Sequence, residues 1–522
     1  MTVDVPVVTA RASAGNALTR EMLDGIDSEA LTRFLLGRRW FGAKGVRPSA
    51  ARFRDVLPLP WDGGRMLLTT VDVTIEADRV ERYQLPLARL AAGAIDPVNP
   101  PRAVLARVDG GGLIVDAVED PRFLAALAGA LSRGERIDGD GVRWVFEPLG
   151  HAGQHLEGQR PKVGSAEQSN TSITYGDRAI LKLFRRLEVG ENPDVEIGRF
   201  LTTRTTFRGT PALLGTIRLD GAGGSSVSAI LQVFVAGSRD AWGYALESAG
   251  QCFGAPEAME PATAFADEAR ALGRVTRELH DALASDPDDP EFAPHPASEA
   301  DVAGWAAAAK RSIEEGLALL ESRMSGGTLG DEATAAARVL IRRRREFPLL
   351  VDMTETIVRH DPGDRIRHHG DYHLGQVLRT PDGAFVIIDF EGEPARPLAE
   401  RRARSCPLRD VAGMLRSFAY AAATAATGPG LGVPRGVVEI RAGRWQRDVR
   451  KAFMNGYVSS GASRGPRFLP AQRPAITHLA ALFEIEKVFY ELRYELNNRP
   501  DWVWIPLRGI ARLTEAGAMG DA

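Results

Sequence analysis

The stretch RHHGDYHLGQV, residues 367–377, gathers three of the chain's nine histidines around one aspartate. Three chemistries use such a cluster. His369 and His373 are four apart, the spacing of two ligands on one helix face, as in a zinc site. Gly370 beside Asp371 signals a turn instead, and no glutamate completes an H-E-x-x-H arrangement. A serine or cysteine nucleophile needs a G-x-S-x-G elbow or its equivalent, and none stands out. Phosphoryl transfer asks for a carboxylate to orient and deprotonate the attacking hydroxyl, oxygen ligands for Mg²⁺, and a lysine on the phosphate oxygens. The sequence supplies all of these in order.

Asp371, in a glycine-containing loop, is the candidate base. Gln376 offers a carbonyl oxygen and Asp389, ending the strand FVIID, a carboxylate, both hard ligands of the kind Mg²⁺ prefers. The segment between them, VLRTPDGAFVII, reads as a hairpin turning at PDG, which brings residues thirteen apart together. Upstream, Lys182 ends the strand AILK, placed to bind phosphate, and Glu196 on the next helix is its expected partner. The small-residue hairpin GSAEQSNTS (164–172), with Ser169 and Asn170, offers N–H groups and hydroxyls to phosphates. The connection LQVFVAG (231–237), with Gln232, Phe234 and Val235, is where an adenine meets backbone hydrogen-bonding groups.

The elements around these residues read as α+β. A chain of 522 residues exceeds one compact core. Residues 1–110 read as a sheet-rich cap with a short amphipathic helix at 28–45. Residues 111–240 read as a second sheet-rich lobe, in which Asn192 and Pro193 start a helix over 192–201. Residues 241–522 read as a helical lobe with long helices at 262–284, 302–324, 331–355 (broken at Pro348), 408–426, 444–459 and 478–498. The basic run 342–345 reads as a solvated helix face. The net charge of −3 provides no basic field for nucleic acid or an anionic membrane. Two cysteines allow neither a disulfide framework nor a cysteine-based metal site. With no signal-peptide pattern and no membrane-spanning apolar run, a cytoplasmic location is expected.

HGDYHLGQVL, together with VIIDFEGEPARPLAERRARSCPLRDVAGMLRSFAYAA, resembles the actinobacterial maltokinases, part of the aminoglycoside-phosphotransferase-like group. FLLGRRWFGAKG (34–45) resembles the start of that family and FEIEKVFYELRYELNNRPDWVWIPLRGI (483–510) its end. The resemblance implies a bilobal protein-kinase-like fold with an additional N-terminal cap. It implies Asp371 as base, Gln376 and Asp389 as Mg²⁺ ligands with Glu391 close by, and Lys182 with Glu196 on the phosphates of ATP. It further implies His369 as a structural loop residue, His373 facing the sugar, and Asp410 anchoring the catalytic loop from a helix start. The implied reaction is ATP plus maltose giving maltose 1-phosphate for α-glucan (glycogen) synthesis, with trehalose synthase as a possible partner. The phosphate loop SAEQSN departs from a G-x-G-x-x-G pattern.

A sugar acceptor needs fixed hydrogen-bond partners beside an apolar platform. Lys487, Tyr490, Glu491 and Tyr494 fall three and four apart on one face of the 478–498 helix and are candidates for that role. A core-packing helix with aromatic anchors has the same pattern. A carboxylate such as Glu491 grips hydroxyls or an ammonium group, so glucosamine stands as the alternative acceptor. A catalytically silent kinase-like scaffold is the remaining reading, and the intact Lys182, Asp371, Gln376 and Asp389 argue against it.

Overall fold

The computed structural model describes residues 6–8, 17–42, 48–61, 64–76, 79–91, 103–109, 111–164, 169–256, 265–428, 431–459 and 467–513. Residues 43–45 of the FLLGRRWFGAKG motif and 165–168 of the GSAEQSNTS hairpin lie outside these. The chain forms two compact units: Met1–Arg199 with Pro211–Ala236, and Phe200–Thr210 with Gly237–Ala522. Residues 200–210, placed in the small lobe by the sequence reading, thus belong with the helical unit. Ile387 N–H donates to the Gly209 carbonyl at 2.7 Å, and Phe200 stacks on Phe292 at 3.8 Å between ring centroids.

The first unit holds two sheets. One is built mainly from strands between Ala50 and Asp116, with the buried Met66–Glu76 strand near its centre. The expected strand over 79–90 divides at Leu85–Pro86 into Arg79–Gln84 and Leu87–Leu90; Pro86 has no N–H to give a ladder. The sequence motif at 34–42 proves to be a packing motif. Trp40 and Phe41 are buried, Phe41 lies against the Tyr83 ring, and the guanidinium of Arg185 sits over Trp40 while pairing with Asp116 at 2.9 Å. The second sheet is antiparallel, in the order Pro161–Val163, Asn170–Tyr175, Ala179–Phe184, Gly224–Val233, Leu213–Gly221, Val142–Pro148, Arg136–Asp138. Inward-facing residues such as Ile173 and Leu181 alternate with half-buried ones along their strands, while the Gly224–Val233 strand is buried continuously from Ser226 to Leu231.

The helix Pro193–Arg204 starts as its sequence directs. Asn192 Oδ1 accepts the Asp194 N–H at 2.8 Å, and Pro193 occupies the first helical position, where no N–H is needed.

The second unit is helical. Ala266–Leu283, Glu299–Ser325, Leu408–Ala426, Arg435–Ser459 and Arg473–Asn498 are its long members. The basic segment is two helices, Asp331–Arg342 and Glu346–Val358. The break falls at 343–345 rather than at Pro348, because proline is tolerated in a first helical turn and Pro348 sits there. Among the described residues no helix is long and apolar enough to cross a membrane.

Candidate active site

The loop carrying Asp371 is held from below by one buried carboxylate. Asp410, in the first turn of the Leu408–Ala426 helix and 2% exposed, accepts the His369 N–H at 2.7 Å and the Gly370 N–H at 2.9 Å. His280 Nε2 lies 3.0 Å from the same carboxylate, and His280 Nδ1 lies 2.8 Å from the Tyr457 hydroxyl. Burial alone would raise the Asp410 carboxyl. The imidazoles of His368 and His280 beside it, with the hydrogen bond from His280, hold it well below the usual carboxylate range.

His369 locks the loop from the other side. Its Nδ1 accepts the Asp371 N–H at 3.3 Å, so Nε2 carries the proton given to the Ile388 carbonyl at 2.9 Å. Gly370 turns the loop at φ +83°, a conformation costly for any side chain. The helix meets the loop closely at Gly413, where a Cβ would stand 2.5 Å from the Tyr372 carbonyl oxygen. The buried Tyr372 hydroxyl completes the anchorage on Thr276 Oγ1 at 2.9 Å.

The hairpin expected between Gln376 and Asp389 forms from Val377–Arg379 and Phe385–Ile387, with Val377 opposite Ile387. Ile388 N–H returns to the Gln376 carbonyl at 3.0 Å, and Gln376 Nε2 donates to Asp389 Oδ2 at 3.0 Å. Asp389 has φ +69°, the one non-glycine residue in the left-handed region among those described. Backbone strain of this kind persists where surroundings over-determine it, commonly at functional sites.

Asp371 lies in the wall of a cavity of about 460 Å³ within the second unit. Lys487 Nζ stands 3.2 Å from Glu393 Oε2 and 3.8 Å from Asp371 Oδ1, and the Tyr490 hydroxyl donates to Glu393 Oε1 at 3.3 Å. Burial opposes the Lys487 charge, but Glu393, Asp371 and Glu491 outweigh it and hold the ammonium above its usual range. Burial and Glu393 likewise raise the Tyr490 phenol.

The structure therefore brings Asp371, Lys487 and Tyr490 together, and it adds Glu393, which the sequence reading missed. Its signal was the second glutamate of EGE, two residues beyond Glu391. The other acceptor candidates fall elsewhere. Glu491 does not line the cavity; half-buried, it pairs with the buried Arg416, 2.7 Å away on the neighbouring helix. Burial raises its carboxyl despite that cation. Tyr494, seven residues or about 10 Å along the helix from Lys487, is 45% exposed under the Arg499 guanidinium. His373 does not line the cavity either. Its Nδ1 accepts the Gly375 N–H at 3.1 Å, and its Nε2 lies 3.9 Å from Asp371 Oδ2. The Glu391 carbonyl accepts from Arg401 at 3.1 Å, and Glu391 too is absent from the cavity wall.

In the first unit, Lys182 Nζ lies 3.5 Å from Asp194 Oδ2. The sequence reading named Glu196 as the lysine's partner. Asp194 and Glu196 both lie in the first turn of the Pro193–Arg204 helix, and the 3.5 Å approach is that of Asp194. Ser169 is exposed, and Asn170 opens its strand opposite Phe184. Gln232 pairs with Ile180 and Leu213 at the end of its strand. The Phe234 N–H donates to the Arg178 carbonyl at 3.1 Å and Val233 N–H to Ala212, so adenine would have to use other groups of this connection.

Residues 34–120 match the maltokinase N-terminal cap domain. The chain is 29% identical over 375 residues to a glucosamine kinase of Mycolicibacterium smegmatis, covering 71% of this chain and 84% of that protein. It is 26% identical over 447 residues to a glucosamine kinase of Streptacidiphilus jiangxiensis, covering 84% and 86%. The solved structure of a glucosamine kinase in complex with glucosamine, ADP and inorganic phosphate aligns with a TM-score of 0.60 at 20% identity, over 92% of this chain and 99% of that one. The fold is thus the α+β kinase-like one expected from the sequence, with its cap. Over most of its length the chain is thus similar to glucosamine kinases, and over 34–120 to the maltokinase N-terminal cap.

Proposed function

We propose that the chain transfers the terminal phosphoryl group of ATP to a hydroxyl of a hexosamine, with glucosamine as the leading acceptor. The observation that carries this is the cavity holding Asp371 in its wall beside the Glu393–Lys487–Tyr490 group, a concave polar site suited to a small polyol. Asp371 takes the hydroxyl proton as the new O–P bond forms and the bond to the ADP oxygen breaks. Lys487 and Tyr490 hold Glu393 and shape the acceptor side. Lys182, kept in place by Asp194, takes the phosphate oxygens.

The residues present suit a Mg²⁺ ion. Gln376 spends its amide nitrogen on Asp389 and keeps its carbonyl oxygen for a cation, while Asp389 is fixed in a strained backbone conformation next to it. When bound, the ion neutralises charge developing on the phosphates. Gln376 and Asp389 are the ligands proposed here.

Glucosamine is favoured over maltose by what each likeness covers. The two glucosamine kinases match 71% and 84% of this chain. The maltokinase-type match spans only 34–120, which contains none of the cavity residues. Maltose remains the second reading on the strength of that cap, and glycogen synthesis and a trehalose synthase partner go with it. ATP consumption with Mg²⁺ over glucosamine, maltose, glucose and aminoglycosides tests the proposal. Turnover on glucosamine is expected. Turnover on maltose but not on glucosamine would overturn it, and ATP binding without turnover on any acceptor would point to a silent scaffold.

A further inference from the structure

Of the histidines in the opening cluster, His369 holds the loop and His373 caps a turn, while His368 is left over. His368 stands three residues before Asp371 and lines the same cavity. Several charged groups of the cavity wall are bound within the protein. Arg409 is bound to Glu486 at 3.0 Å and to Ser405 at 3.1 Å, Lys487 to Glu393, and Arg493 to Glu315. His368 is not: its Nδ1 is shut off from solvent and has no hydrogen-bond partner.

Burial is the dominant influence on this imidazole and pushes it down to about 4. The Asp410 charge opposes that shift, and Arg409, His280 and Arg367 add to it. The ring is therefore neutral at physiological pH, with one donor and one acceptor nitrogen. Buried polar groups in folded proteins almost always find a partner, and a cavity-lining imidazole with no partner in the protein is placed to find one in a ligand. A neutral imidazole suits a hydroxyl or an amine, and has no charge to attract an anion.

We propose that His368 is an acceptor-contacting, specificity-determining residue whose imidazole completes its hydrogen bonding with a hydroxyl or amine of the sugar held beside Asp371. The proposal rests on the cavity being the acceptor site, as in the function proposed above. It adds a residue that selects among acceptors without taking part in the proton transfer.

Two substitutions and one binding measurement test it on the full chain. His368→Leu removes both ring nitrogens, and His368→Asn keeps a donor and an acceptor. The expected result is a tenfold or greater rise in acceptor KM for His368→Leu, with the KM for ATP and the thermal unfolding midpoint unchanged, and partial recovery in His368→Asn. Across a panel of monodeoxy and deamino glucosamine analogues, the wild type should reject one analogue by tenfold or more, and His368→Leu should lose that discrimination. An unchanged acceptor KM with an unchanged analogue profile overturns the contact, while the kinase reading stands. If the wild type phosphorylates no sugar at all, the kinase reading fails and the ring itself decides. With ¹⁵N-labelled histidine, displacement of the His368 ring signals on adding glucosamine, glucose or maltose supports the contact, and signals unmoved by all three overturn it. The same measurement on the wild type decides the matter if the variants fail to fold.

Discussion

Asp410→Asn is the sharpest test of how the catalytic loop is held. The carboxylate accepts from the His369 and Gly370 N–H groups and from His280, at 2.7, 2.9 and 3.0 Å. The amide keeps the shape but turns one acceptor into an –NH₂ that faces donors. A hydrogen bond to a charged group contributes about 1.5–3 kcal/mol, so losing one or two costs about 2–5 kcal/mol. A domain stable by about 5–15 kcal/mol survives that loss. The loop then loses its fixed position, and a misplacement of about 1 Å lowers turnover by about 10²-fold.

The pH dependence has a definite sign. The folded-state pKa of Asp410 lies below its unfolded value of about 3.9. Its contribution to stability is complete above that unfolded value and is lost as pH falls through the folded one. The stability gap between wild type and Asp410→Asn should be flat from pH 8 to 5 and narrow only below about pH 4. Urea unfolding followed by tryptophan fluorescence, with kcat measured in parallel, gives both quantities. An unchanged urea midpoint with kcat within threefold of wild type would refute the reasoning, as would a gap that widens on acidification.

Three further outcomes are expected. Asp371→Asn should lower kcat by about 10²–10⁴-fold, the range for a lost general base, while ATP binding measured by calorimetry is retained; wild-type turnover would remove Asp371 from the role. Glu491→Gln leaves Arg416 buried without its counter-charge and should destabilise the protein by about 3–5 kcal/mol. The acceptor KM of the folded variant should not move; a raised KM with unchanged stability would return Glu491 to the sugar site. Gly413→Ala sets a methyl group against the Tyr372 carbonyl and should lower kcat at least tenfold with the KM for ATP unchanged; unaltered turnover would show that the helix and loop have slack there.

Much of the site was legible in order and spacing. The PDG turn between two short apolar runs predicted the hairpin, and the hairpin alone places Gln376 against Asp389. Asn192–Pro193 predicted the helix start that carries Asp194. The Leu408–Ala426 helix has the bounds its pattern gave, since a continuous alanine-rich periodic run flanked by Pro407 and Gly428 leaves little choice. The break near Pro348 was misplaced because proline marks either a helix interrupted or a helix just begun, and the sequence does not say which.

The sequence by itself determined the candidates for the chemistry: an aspartate in a glycine turn, two oxygen-bearing side chains joined by a hairpin, and a lysine at a strand end are local facts, written in residue types and short spacings. Only the tertiary structure decided which side chains stand beside Asp371. Helical spacing puts Lys487, Tyr490, Glu491 and Tyr494 on one face, but the partner of each depends on what another helix or loop brings opposite it. Arg416 claims Glu491, solvent claims Tyr494, and Glu393 joins Lys487 and Tyr490 beside Asp371. The same physics separates the three histidines. Backbone groups and Asp410 satisfy His369, the next turn satisfies His373, and His368 is left facing the cavity without a partner.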